Sequence, residues 1–429
     1  MNNSDLEVPP PGSERSRAAA IALGDTKPSE EPGVNYLALI GLLAFFGWLL
    51  FVAGFVYFLV ACGVIFMIFL HELGHFMTAK WTGMKPTDFF LGFGPTIFSW
   101  RRGEVTYGVK AIPAGAFVRI VGMNNLDPVP PGDEDRAYMN KSYPRRMLVI
   151  TAGSAMHFIQ AFVILVLLSS VIGIGFLHPD YDSSGWVVDE VSVGDSEPTT
   201  GEVLGLLPGD HIVSVDGEST DQWFGLLDAV RSRPGETVEF VYTRDGETLT
   251  QTATIGETET GFGRIGVGAD FSAVPERQRP GVAAGVEEFG EQMKGAVTAI
   301  PRFLSPSTFS GLISSSFAAD SAAEQDTDRP VSVVGAVGVA GRTAGTDWTF
   351  PIYLLGIINC FVGVLNLLPL LPLDGGHAII ATYERLRSFG GRRHQVDVAK
   401  LLPLTYGVVA VLAVLGLTTI WLDVILLSS

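Results

Sequence analysis

The sequence predicts an α-helical polytopic membrane protein with a β-rich domain inserted between its spans, and three observations carry that reading. Of 429 residues, 47% are hydrophobic and only 17% charged, the balance of a membrane protein that also has a water-facing portion. Several uninterrupted apolar stretches reach the roughly 20 residues that a helix needs to cross a hydrocarbon core. The net charge of -17 is more than accounted for by residues 178–348, where 28 Asp or Glu stand against 10 Lys or Arg. The two cysteines, Cys62 and Cys360, fall in apolar runs, so neither a disulfide framework nor a cysteine zinc cluster is expected.

Residues 1–35 are rich in Pro, Ser, Glu and Asp without any hydrophobic period, which predicts a disordered tail. It is not read as a signal peptide, because the apolar run behind it is too long and lacks a small-residue cleavage site. Residues 36–53 and 55–77 form one nearly continuous apolar run, longer than a single span requires. Gly54 is the expected turn between an extra N-terminal helix and the first core helix. That core helix ends in His71-Glu72-Leu73-Gly74-His75. Histidines four residues apart share one helix face and can hold one zinc ion together, and Glu72 beside them can take a proton from water, which is a metalloprotease arrangement. Three ionisable groups at the end of a membrane span are costly unless they serve a function. Histidines merely satisfied by neighbouring helices would leave Glu72 without a purpose.

In residues 78–146, 10 Lys or Arg stand against 6 Asp or Glu, and residues 378–400 are also net basic. Such an excess marks cytoplasmic loops, so the motif is expected toward the cytoplasm and the acidic segment outside it. Within the first loop, residues 103–122 are β-branched and aromatic and are broken by Pro113 and Gly115, which predicts a membrane-associated strand loop. Val105, Tyr107 and Val109 are expected on an edge strand that receives an extended substrate. Residues 147–177 make the next span.

Residues 185–274 run strand, turn, strand, helix and hairpin, the order of a bacterial PDZ domain. A PDZ domain binds a chain end or extended segment by adding a strand, and the Gly205-Leu206-Leu207 turn is expected to meet that protein ligand. Residues 281–348 open with Val282, Val286, Phe289, Met293, Val297 and Ile300 at helical spacing. They predict an amphipathic helix ended by Pro301 and suited to a lipid surface, followed by a Ser/Ala-rich linker over 305–328. The last spans are 349–377 and 401–427, with a short cytoplasmic loop over 378–400.

A catalytic zinc takes three protein ligands and leaves one position open. The outstanding candidate for the third is Asp374, in Asn366-Leu367-Leu368-Pro369-Leu370-Leu371-Pro372-Leu373-Asp374-Gly375-Gly376-His377. Two prolines break the helix before it, and two glycines after it allow close backbone approach. If both spans run in the same direction, Asp374 lies at the depth of His71 and His75. Asn359 and Asn366, seven residues apart, share a helix face and are candidates to bond a substrate backbone.

The pair of motifs, His71 to His75 and Asn366 to Gly376, resembles the signatures of the site-2 protease family of intramembrane zinc metalloproteases. The order of motif, basic loop, span, PDZ domain, span, motif and final span is similar to the bacterial PDZ-containing branch, the regulator of sigma-E protease type. The resemblance covers the chain from about Phe55 onward. It implies one zinc ion on His71, His75 and Asp374, Glu72 as the catalytic base, and a substrate-binding role for Asn366. It also implies a multi-pass protein of the bacterial plasma membrane whose substrate is a pre-trimmed, anti-sigma-factor-like transmembrane protein. Departures are the extra run over 36–53, Pro372 one position late, Ala116 where a second Gly is common, and His157, whose role stays open, where many members have Asn.

The expected function is regulated intramembrane proteolysis, with a transmembrane protein substrate, a PDZ ligand and membrane lipid as partners and no nucleic acid. A non-catalytic PDZ adaptor with a structural metal site is the alternative, and it would need four protein ligands around the metal. A transporter would need more polar residues along the middles of several spans.

Overall fold

The computed structural model describes residues 34–123, 129–175, 178, 181–194, 198–258, 262–271, 276–303, 305, 347–388 and 394–428. The expected tail before residue 34 and the linker over 306–328 lie outside them. The chain divides into two compact units, residues 1–168 with 281–429, and residues 169–280.

The first unit is helical. Helix α1 (Tyr36–Trp48) is capped by Asn35, whose side chain accepts from the Ala38 amide at 3.1 Å. It runs into a π turn over Leu49–Ala53 and breaks at Gly54, whose φ of 111° suits only glycine. Helix α2 (Phe55–Trp81) continues past residue 77, where its apolar run was expected to end. Its last turn is helix-compatible, with Thr78 and Thr82 hydroxyls bonding back to the Gly74 and Thr78 carbonyls, and it stops at Gly83 with φ of 72°.

Helix α3 (Tyr143–Leu167) starts four residues before the expected 147, with Pro144 in its first turn. Helices α6 (Val282–Phe303) and α7 (Phe350–Asn366) pack against it. A Cβ on Gly285 of α6 would stand 2.7 Å from Val166 Cα, and Phe289 meets the Phe162 ring edge-on at 5.5 Å. Phe289, Met293 and Ile300 of the apolar stripe are thus turned toward protein while Val282, Val286 and Val297 stay exposed, and the helix continues through Pro301 to Phe303.

The expected single span over 349–377 is two helices. Helix α7 ends at Asn366, residues 367–373 turn, and α8 (Asp374–Arg387) begins at Asp374. Pro369 and Pro372 cannot continue a helix, which is the physical reason for the break. Helix α9 (Leu402–Ser428) follows. Among the described residues three helical stretches are long and apolar enough to cross a membrane, within 58–81, 143–172 and 402–419, while α1 and α7 are shorter apolar helices.

Between α2 and α3 lie two long bent strands, β1 (Pro86–Arg102) and β2 (Val105–Ile120). Their register makes four rows. Phe98–Arg102 pairs with Val105–Val109, Val109 to Thr106 pair again with Leu91 to Asp88, and Asp88–Leu91 pairs on its other side with Ala116–Arg119.

The second unit is β-rich. Strands β4 (His211–Val215), β5 (Glu218–Ser219), β6 (Thr237–Arg244) and β7 (Glu247–Thr254) form one sheet in the order β5-β4-β6-β7. Smaller sheets join β3 (Val187–Val191) to β10 (Val267–Asp270), and β8 (Gly256–Glu257) to β9 (Gly263–Arg264). Helices α4 (Thr200–Val203) and α5 (Trp223–Arg231) complete it, around a core of Trp186, Ile212, Leu226, Phe240 and Tyr242. The hairpin turns Asp216-Gly217 and Asp245-Gly246 have positive φ at both residues, as two-residue β turns require.

Candidate active site

His71 and His75 lie one turn apart on α2, and their Nε2 atoms face each other at 3.2 Å. The first residue of α8, Asp374, brings Oδ2 to 3.6 Å from His71 Nε2 and 3.4 Å from His75 Nε2. The three possible ligand atoms lie within 4.8 Å of one another. His377 stands outside this cluster. His75 Nδ1 is 2.7 Å from the Val149 carbonyl, so Nδ1 donates and Nε2 keeps its lone pair for the cluster. Asp374 Oδ2 is buried with no hydrogen-bond partner among the described residues, an arrangement that is expensive unless a cation meets it. Two imidazole nitrogens and one carboxylate oxygen form the donor set of an open zinc site, so these residues fit that metal. Glu72 sits beside them, with Oε1 4.0 Å from His71 Nε2.

Three glycines allow this convergence. A Cβ on Gly74 would lie 2.6 Å from Met156 Cγ and 2.8 Å from the Ala152 carbonyl, so the motif's glycine is where α2 and α3 touch. On α3, a Cβ on Gly153 would overlap His71 Cε1 and His75 Nε2. At Gly376 a Cβ would lie 2.6 Å from the Leu371 amide, which lets the first turn of α8 fold back on the Pro369–Leu373 turn. The far end of α8 is tied to α3 by Arg146 Nη2 and Glu384 Oε2 at 2.7 Å, both largely buried, and by Tyr143 and Thr382 hydroxyls 3.2 Å apart.

The structure corrects three sequence expectations. The segment holding Val105, Tyr107 and Val109 has a strand on each side, so its backbone is no open edge. The outer row beside the motif is Ala116–Ile120, whose Val118 amide faces the Glu72 carboxylate. Tyr107 and Val109 instead contribute side chains to an apolar cavity of about 280 Å³ shared with Phe69, Leu73 and Trp100. Asn359 is 1% exposed and both ends of its amide are spent within the protein, on His157 Nδ1 at 2.9 Å and the Leu355 carbonyl at 2.8 Å, so it does not meet a substrate. Asn366 lies half-buried at the end of α7.

In the β-rich unit the Gly205, Leu206 and Leu207 amides bond to Glu202 O, Gly201 O and Asp210 Oδ2, so these amides are spent within the unit instead of being offered to a chain end. The concave surface lies elsewhere, a groove of about 420 Å³ between α5 and the segment from Phe262 to Val267, with Trp223, Leu226 and Val230 on the helix side. Sequence reasoning missed that wall because the two strands it draws on, β9 and β10, are only two and four residues long.

Two helix-borne histidines, a carboxylate from a second helix and a neighbouring glutamate define a metallopeptidase centre. The profile of peptidase family M50 matches residues 57–413. The zinc metalloprotease Rip1 of Mycobacterium tuberculosis (strain ATCC 25618 / H37Rv) is 32% identical over 414 residues, covering 88% of this chain and 98% of its own length. The protein of the same name from Mycolicibacterium smegmatis is 31% identical over 402 residues, covering 86% and 96%. A solved PDZ domain from Listeria monocytogenes is 23% identical and covers 22% of this chain and 93% of its own, with a TM-score of 0.18. The chain therefore belongs to peptidase family M50, the site-2 protease family. It is a membrane-embedded zinc metalloprotease.

Proposed function

We propose that this enzyme hydrolyses a peptide bond within a membrane-spanning segment of a pre-trimmed protein of the anti-sigma-factor kind, from the cytoplasmic side of a bacterial plasma membrane. The observation that carries the reading is the three-ligand cluster of His71, His75 and Asp374 beside Glu72, at the end of a membrane-length helix. No fourth His, Cys, Asp or Glu joins the cluster among the described residues, which supports a catalytic site over the closed site of an adaptor.

Held by these three residues, zinc would polarise the scissile carbonyl and acidify a water. Glu72 accepts the proton of the attacking water at its carboxylate and returns it to the leaving amine. A membrane helix bonds its backbone internally, so the substrate must unwind before it is cut. The Ala116–Ile120 row offers a strand edge beside Glu72 for the unwound segment, and Asn366 supplies a hydrogen bond from the end of α7.

The β-rich unit acts as a PDZ domain on the extracytoplasmic side. Its ligand is an extended protein segment lying in the groove between α5 and Phe262–Val267 rather than on Gly205–Leu207. The basic loops over 78–146 and 378–400 support this sidedness, and the apolar exterior of the helices meets lipid.

The decisive experiment is cleavage of a single-span, anti-sigma-like substrate by the purified full chain in detergent. Glu72→Gln is expected to lower kcat/KM by about 10²- to 10⁴-fold while zinc stays bound. Full activity in that variant would sink the assignment of Glu72. Asn366→Leu should impair cleavage with zinc content intact; lost zinc would make Asn366 structural.

A further inference from the structure

The two histidine ligands are not secured in the same way. His75 has its Nδ1 pinned to the Val149 carbonyl at 2.7 Å, the second bond that usually fixes the orientation of a metal-ligating imidazole. The corresponding atom of His71 is buried beside the Gly153 backbone without a well-formed hydrogen bond. What lies against the His71 ring is the ring of His157, with centroids 4.9 Å apart and planes at 41°.

His157 is on α3, one turn beyond Gly153, and is 2% exposed. Its own orientation is defined by a relay. Asn359 on α7 donates from Nδ2 to the Leu355 carbonyl at 2.8 Å, and only the amide nitrogen can do so. The Asn359 oxygen must then be the atom that faces His157 Nδ1 at 2.9 Å, and Nδ1 must carry a proton to meet it. The ring is seated tightly as well. A Cβ on Gly363, one turn beyond Asn359, would lie 2.5 Å from Phe158 Cε1 and 3.0 Å from His157 Cβ, so α7 and α3 are in close contact where His157 sits.

We propose that His157 is a positioning residue for His71: anchored to Asn359, its ring is the wall that holds the His71 imidazole with Nε2 toward His75 and Asp374. The three residues join three helices at the site, α2 through His71, α3 through His157 and α7 through Asn359. This proposal rests on the metal-site reading above.

The test uses the full chain in detergent, with zinc affinity measured by chelator competition and ligand geometry by the visible spectrum of the cobalt-substituted protein. His157→Ala is expected to weaken zinc binding about 10- to 100-fold, the usual effect of losing a residue that orients a ligand, and to shift the cobalt bands. Asn359→Leu should shift the bands in the same direction, and the double variant should be no worse than His157→Ala. His157→Asn, whose amide can donate to the Asn359 oxygen, should recover much of the affinity.

Leu165→Ala, fully buried on the same helix, controls for stability. It should lower the melting temperature and leave the cobalt spectrum unmoved. Unchanged zinc affinity and cobalt spectrum in both His157→Ala and Asn359→Leu would overturn the proposal. His71→Ala separates the two readings. Should that variant still bind zinc with the unaltered affinity, the metal-site reading itself fails. If it loses zinc while His157→Ala does not, only the positioning role fails.

Discussion

At Gly153 one absent methyl group decides whether the metal ligands fit. A Cβ there would overlap both imidazoles, and overpacking of this kind costs about 1–3 kcal/mol. Gly153→Ala is therefore expected to weaken zinc binding about 10- to 100-fold with the fold retained, measured as metal content after dialysis against a weak chelator. The residue scale also sets the acid sensitivity of the β-rich unit, through Asp210, whose side chain is 1% exposed. Burial alone would raise its carboxyl, but the Arg244 hydrogen bonds, the Leu207 amide and the Arg244 charge outweigh that and hold it below the usual carboxylate range. A carboxylate held low when folded stabilises above its unfolded value of about 3.9, and that stability is lost as pH falls through the folded value. Asp210→Asn should lower the melting temperature of this unit at pH 7 and flatten its decline below about pH 4; an unaltered acid transition would count against Asp210 as its source. His71, Glu72 and His75 were legible in the sequence because a single helix sets their spacing. Gly153 and His157 share a helix face by the same four-residue rule, but nothing in their own helix says that it passes the metal ligands.

At the scale of elements, the third ligand depends on how α8 is held. Asp374 opens that helix, and the Arg146–Glu384 pair ties its other end to α3. Breaking a largely buried pair by removing one partner leaves an uncompensated charge and costs about 3–5 kcal/mol. Glu384→Ala is expected to destabilise the helical unit by that order in detergent unfolding and to weaken zinc binding with it; a variant as stable as the unaltered chain would show that α8 is held by packing alone. The break between α7 and α8 could be seen in Pro369 and Pro372, yet the apolar run carried the expected span on to residue 377. Hydropathy counts residues and cannot see where a backbone turns. The same blindness put Val105, Tyr107 and Val109 on an edge. Their alternation marks a strand, but strand order depends on pairing with Asp88–Leu91, which no local pattern encodes. The amphipathic period of α6 was legible too, though the period cannot tell which part of its apolar stripe packs on Phe162 and Val166 and which part, at Val282, Val286 and Val297, stays exposed.

At the scale of the whole molecule, the β-rich unit is inserted between α3 and α6, whose contact at Val166 and Gly285 keeps the two insertion points of the helical unit close together. A short linker can therefore replace residues 169–280. If that unit excludes substrates that still carry bulky outer domains, the shortened chain should cut untrimmed substrate that the full chain refuses. Equal discrimination by the two would remove the filter. Chelation should abolish cleavage by either chain, read by adding back zinc. By itself the sequence determined the membrane-spanning character, the inserted β-rich unit, the zinc chemistry and the two motifs that carry it, because hydropathy, charge and helical spacing are local and survive without coordinates. Only the tertiary structure decided which strand lies beside Glu72, that Asn359 bonds His157, and that the concave surface of the β-rich unit lies against α5. Each of these depends on which elements meet across long stretches of chain, and such meetings are set by shape complementarity and the pairing of buried polar groups, not by any residue's immediate neighbours.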